Sequence, residues 1–229
     1  LKTTDGMIRV MVRYCDVLAL THIGEFDLAD KRVADYAEFS SVGQFQAWAI
    51  AKIAAGVVAT ARGNFPEAIT SIEQALAALN AETSLPWQLP GRLLLARAYA
   101  ALGRVGEAER VLTDAAEHSG PSTALHEPQR LISRSWYAAA KGMERRSVEL
   151  ANAAADNARR SGQYALEAEA LHHAARFGDR TGADRLDELT AIVHGTVVGM
   201  YARHARSVAA GDAAGLDAVS ADFEHAGMT

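Results

Sequence analysis

The chain has 229 residues, 49% hydrophobic but only 7% aromatic, with a formal charge of −5 spread along its length. That length supports a sizeable core, in which alanine and leucine must do most of the packing. No basic stripe marks a nucleic-acid surface, no apolar run reaches the roughly 18 to 20 residues of a membrane span, and a single cysteine excludes an internal disulfide framework.

The first helical pattern runs from Met7 to His22 and stops at Ile23-Gly24, a glycine suited to a left-handed helix end. Cys15, among Val12, Val17 and Leu18, reads as a small buried apolar residue in a reducing compartment. A second helix runs from Phe26 to Ala37, and Ser40-Ser41-Val42-Gly43 breaks the chain with a serine placed to cap the next helix. Gln44 to Arg62 is the longest apolar helix, with Phe65 to Asn80 as its partner; Pro66 falls in a first turn, where proline is tolerated. Ala81 to Pro90, with two prolines and Trp87, reads as a loop. Gly91 to Leu102 and Val105 to His118 form a third pair, and Ser119 to Ser122 is a breaker. Gln129 to Ala140 pairs with Glu144 to Arg160, Tyr164 to Phe177 with Asp184 to Val193, and Val197 to Ala210 with Ala213 to His225. No stretch alternates with period two, so no sheet is expected.

These pairs are copies of one another. In Gly63-Asn64-Phe65-Pro66-Glu67-Ala68, with Ile72 and Ala75 after it, a glycine precedes one apolar stripe at helical spacing. Gly24 with Ala29, Gly103 with Ala108, Gly142 with Ser147, Gly178 with Ala183 and Gly211 with Leu216 repeat it. Positions 29, 68, 108, 147, 183 and 216 are 39, 40, 39, 36 and 33 residues apart. Such a hairpin cannot bury its apolar face alone, so stacked copies are expected. The expected fold is all-α, a right-handed superhelix of about six hairpins. One repeat domain fills 1–229, with repeats near 7–38, 44–80, 91–118, 129–160, 163–193 and 197–226. The chain opens at Leu1 and stops at Thr229 in a helical pattern, and is expected to be cut from a longer protein.

Glycine, then an aromatic or aliphatic residue, then alanine, aliphatic and alanine at these spacings resembles the tetratricopeptide repeat; Gly56 and Tyr99 also fall on its first-helix positions. The period departs from the usual 34 residues. Lengthened repeats of this kind resemble the sensor superhelix of the maltose-regulon activator and its relatives, large ATP-dependent LuxR-type transcriptional regulators of bacteria. Leu166 to Asp179 is similar to a segment late in those sensors, and Leu216 to Gly227 to the helix before their DNA-binding domain. The resemblance implies a cytoplasmic regulator whose ATP and DNA chemistry lies in domains outside this chain. The chain itself has no phosphate-binding loop and no basic recognition helix.

No chemistry-bearing constellation points to an enzyme. His172-His173 are adjacent on a helix, about 100 degrees apart, a poor chelating pair, so no metal is expected. Ser135 and His126 lack an acid at matching spacing, and no cofactor is expected. Glu25, Glu67, Glu107 and Asp184 sit at helix starts, where they complement the dipole. Arg145-Arg146 and Arg159-Arg160 read as solvated faces.

First helices line the concave side of such arrays. Register alignment puts Leu18, Val57, Arg97, Trp136, His172 and Ala205 at the innermost position. Arg97, Trp136 and His172 then project into one groove, with Trp48 and Trp87 on its rim and Arg176 one turn beyond His172, where it can meet an anion. Trp136 and His172 fit inter-repeat core as well as groove. The candidate ligand-binding residues are therefore Trp48, Arg97, Trp136, His172 and Arg176. The expected occupant is a small-molecule inducer, which the resemblance suggests is an oligosaccharide. A free-standing scaffold holding a peptide or protein is the alternative, and self-association through an end repeat is a third reading.

Overall fold

Gly24, Gly63, Gly103, Gly142, Gly178 and Gly211 all take a left-handed φ, between 66° and 102°. Each ends the first helix of a hairpin, where a side chain would be strained. The turns repeat one hydrogen-bond pattern, with Asn64 N–H donating to Ala59 O at 2.8 Å, Arg104 to Tyr99 at 2.9 Å and Met143 to Ala138 at 2.9 Å. A computed structural model describes residues 4–40, 45–81, 85–117 and 120–228.

Within those residues the chain forms α1 (Thr4–Ile23), α2 (Phe26–Ser40), α3 (Phe45–Arg62), α4 (Phe65–Ala81), α5 (Leu85–Ala101) and α6 (Val105–Glu117). A 3₁₀ turn (Pro121–His126) leads to α7 (Glu127–Ala140), α8 (Glu144–Arg160), α9 (Tyr164–Arg176), α10 (Ala183–Thr190), α11 (Val197–Ala210) and α12 (Ala213–His225). Among the described residues there is no strand. Consecutive helices pair and each pair packs on the next, giving the all-helical repeat solenoid expected from the sequence. The anchors Ala29, Ala68, Ala108 and Ser147 are at most 1% exposed, so small side chains let paired helices approach closely. A Cβ at Gly56 would stand 2.4 Å from Ile72 Cγ1 across the α3–α4 seam. Ala68→Leu or Ala108→Leu should overpack this seam and cost about 1–3 kcal/mol. Unchanged melting temperatures in both variants would mean that the register is wrong.

Two stretches differ from the expectation. The loop expected from Ala81 to Pro90 is helical from Leu85, with both prolines inside α5. Pro86 takes a first-turn position that needs no N–H donor, and Pro90 in the second turn forfeits one hydrogen bond of a helix whose remainder is well buried. The α10 helix ends at Thr190, not Val193, leaving a turn through Gly195 before α11. The breaker around Ser41-Val42-Gly43 and the start at Gln44 lie outside the described residues, as does Ser119.

The solenoid also returns on itself. The Thr196 N–H donates to Ile23 O at 3.0 Å, joining the approach to α11 to the end of α1. The Arg62 Nη1 at the end of α3 donates to Gly227 O at 3.2 Å. One apolar cluster contains Val10, Val17, Ile50 and Val58 from the first two hairpins together with Val197, Met200 and Val219 from the last. The concave face thereby becomes the wall of a central cavity.

Candidate functional site

The cavity has a volume of about 1470 Å³, above the roughly 300–1,000 Å³ common for small-molecule sites. Leu18, Val57, Arg97, Trp136 and His172 line it, from five successive first helices. The sixth position, Ala205, is 2% exposed in the core, and His204 beside it faces the cavity instead. The inward position on α11 is thus displaced by one residue from the repeat register. Trp87, in the first turn of α5, also lines the cavity and meets Tyr14 edge-on at 5.1 Å. Trp48 stands apart, half-buried against the first-hairpin cluster with Lys52 5.7 Å over its ring. Cys15 is a correction: it is exposed on the cavity wall rather than buried. The buried face of α1 runs through Val10, Tyr14, Val17 and Thr21, and Cys15 lies about 100° round from Tyr14.

The polar centre is built on α9. Spacing of four residues puts Glu169, His173 and, one helix face over, His172 and Arg176 toward α5, α7 and α11. Arg97 of α5 is ion-paired to Glu169. His173 Nε2 lies 3.5 Å from Glu169 Oε1, and His22 Nε2 lies 3.9 Å from Oε2. Burial by itself would raise the Glu169 carboxyl, yet the Arg97 guanidinium beside it, assisted by His173, holds it well below the usual carboxylate range. Burial and the Arg97 charge push His173 down to about 4. His172 is pushed well down by burial, and then by His173, His204 and Arg176. Burial also lowers His22, His126 and His204. At neutral pH the cavity thus holds charged Arg97, Arg176 and Glu169 with neutral imidazoles.

Trp136 is 8% exposed, so it is core as well as wall. Arg176 stacks over its indole at 5.0 Å and Arg97 at 5.8 Å, while Phe65, His173 and Phe177 meet it edge-on. His172 stacks on Tyr201 at 4.0 Å and meets His204 edge-on at 4.9 Å. Sequence reasoning missed Glu169, Tyr201 and His204. The three-residue spacing of Tyr201 and His204 on one face of α11 was the available signal.

Several buried polar atoms around the cavity have no hydrogen-bond partner among the described residues. They include Arg97 Nε, Trp136 Nε1, His172 Nδ1, His204 Nδ1, His126 Nδ1 and Gln129 Oε1. All six residues line the cavity. Buried polar groups are normally satisfied, and these atoms lie sealed within the wall rather than open to the cavity. Ser135, by contrast, is fully buried and donates to Ile132 O at 2.7 Å. Among the described residues no three His, Cys, Asp or Glu side chains converge as metal ligands, and no helix is long and apolar enough to cross a membrane.

Fold and cavity together define an all-helical repeat domain with a central cavity. Residues 59–127, from the second half of α3 to the first residue of α7, match the family described as Tetratricopeptide repeat. No curated protein and no solved structure matches the chain significantly. Domains of this type are generally non-catalytic and mediate protein contacts.

Proposed function

We propose that this chain is a non-catalytic sensing domain that binds a small molecule in its central cavity. The supporting observation is the central cavity of about 1470 Å³, walled by Arg97, Trp136, His172 and His204 from four successive hairpins. Contact between the first and last hairpins adds to it, because a ligand touching both can favour the closed over an open arrangement. In this reading the domain belongs to a LuxR-type transcriptional regulator, where occupancy shifts the parent between resting and active states. A phosphate-binding loop upstream and a helix-turn-helix downstream in the reading frame would support that parentage, and a frame lacking both would remove it.

Titration calorimetry against sugars, nucleotides, organic acids and short peptides tests the binding reading. A small molecule should bind, and Trp136→Phe, which replaces the indole with a smaller ring and so draws back the cavity wall, should weaken it by roughly ten-fold. Unchanged affinity in Trp136→Phe and Arg97→Gln would remove the site assignment. The second reading, a protein-interaction scaffold, is favoured by the match to Tetratricopeptide repeat. A peptide that binds while no small molecule shifts the melting temperature would select it.

A further inference from the structure

We infer that the cavity is built for an organic anion, its carboxylate or phosphate group seated on Arg176 between His172 and His204 and its apolar body against Tyr201 and Phe223. This rests on the reading of the cavity as a small-molecule site and names the ligand class.

The two arginines of the wall differ in their commitments. Arg97 is engaged by Glu169. Arg176 has no carboxylate within ion-pair distance among the described residues; it rests on the face of Trp136, at 5.0 Å. That stacking covers one guanidinium face and leaves the N–H edge available. Arg176 is exposed on the cavity wall beside the Arg97 charge, which opposes its cation, so an anion at that edge offsets that repulsion.

The flanking imidazoles suit the same guest. His172 is 5% exposed and clamped among Tyr201, His204 and Phe223, with Nδ1 lacking a partner. His204 Nδ1 lacks one too, and because both atoms are sealed in the wall a reorientation of each ring is needed to present an N–H to the guest. A neutral imidazole can donate one N–H to an anion without repelling Arg176, as an imidazolium would. Ion-assisted hydrogen bonds of this kind are the strong ones. Besides Glu169, which Arg97 engages, the acidic residues of the wall are Asp217 and Glu224, exposed on α12, and none of the three reaches ion-pair distance of Arg176. Asp217 and Glu224 give the cavity a polarity, acidic toward α12 and basic at α9. An oligosaccharide is served less well, because stacking on a sugar needs an open indole face and Trp136 carries both arginines.

Three probes on one ring separate the possibilities: 2-naphthoate, 2-naphthyl phosphate and the uncharged 2-naphthamide, titrated calorimetrically into the full chain and into Arg176→Gln. At least one anion should bind about ten-fold or more tightly than the amide, and Arg176→Gln should erase that preference by weakening the anion. Carboxylate over phosphate, or the reverse, names the source of the charge. Equal binding of amide and anions, or a preference that survives in Arg176→Gln, overturns the anion site while the cavity remains a ligand site. No binding by any probe up to about 1 mM overturns the anion site, and with a silent wider panel it overturns the cavity reading as well. Unfolding of Arg176→Gln in urea should stay cooperative with a midpoint close to wild type, since no ion pair is lost and only the stacking on Trp136 goes; Arg176→Lys, which keeps charge without the fork, should retain part of the preference.

Discussion

Glu167→Ala should destabilise the fold by about 2–4 kcal/mol, more than any exposed charge could. The Glu167 side chain is fully buried where α8, α9 and α10 meet. Its Oε1 accepts from Arg159 Nε and Arg185 Nε, both at 2.7 Å, and its Oε2 from Arg185 Nη2 at 3.0 Å. Three helices from two hairpins are thereby tied through one carboxylate. The two arginines are 46% and 24% exposed and can be partly rehydrated, which is why the expected cost is smaller than that of an orphaned buried charge. A double-mutant cycle with Arg185→Ala should show coupling of about 0.5–3 kcal/mol; strictly additive losses would mean that the bonds contribute nothing.

The pH dependence gives the same interaction a second readout. Burial favours the protonated carboxyl, but Arg185 and Arg159 outweigh it and hold Glu167 below its ordinary 4.5. A depressed carboxylate contributes stability that is present above the unfolded value and lost as pH falls through the folded one. The difference between wild type and Glu167→Ala should therefore shrink below about pH 4.5. A difference that grows on acidification would contradict the assignment.

Glu167 also marks where the sequence stops being informative. The six glycines, each five residues before a small or apolar anchor, make the hairpins legible because the left-handed turn and the close seam are local demands. The same register places Arg97, Trp136 and His172 on one wall, since a constant period carries the first helices to equivalent positions. Nothing local distinguishes Glu167, in the core, from Glu169, two residues on and facing the cavity; only the arginines of other helices do. Pro90 misleads for a related reason, because burial of α5 outweighs one lost backbone hydrogen bond. Cys15 sits among apolar neighbours in the sequence yet faces the cavity, since the buried face of α1, through Val10, Tyr14, Val17 and Thr21, is set mainly by α2 and α3 packing on it.

That return predicts the second large effect. Gly195→Ala should cost roughly 2–5 kcal/mol, the sum of backbone strain and a clash that must be relieved by movement. Gly195 has φ +112°, and a Cβ there would lie 2.2 Å from Ile23 O and 2.8 Å from Ile23 C. The obstacle is backbone, so it cannot rotate away as a side chain would. The Thr196 N–H bond to Ile23 O, one residue on, should break with it, and the amide of Thr196 should lose hydrogen-exchange protection. Gly142→Ala is the control: its φ is +72° but nothing lies within 4 Å of the new methyl. It should cost only about 1–2 kcal/mol of left-handed strain and leave Thr196 protected. Because closure completes the cavity wall, Gly195→Ala should also weaken a ligand that touches α1 and α11 together. Equal costs for the two variants, or Thr196 protection unchanged in Gly195→Ala, would show that the contact between α1 and the approach to α11 contributes little. The cavity would then have to be treated as an open groove, better suited to a peptide than to a small anion.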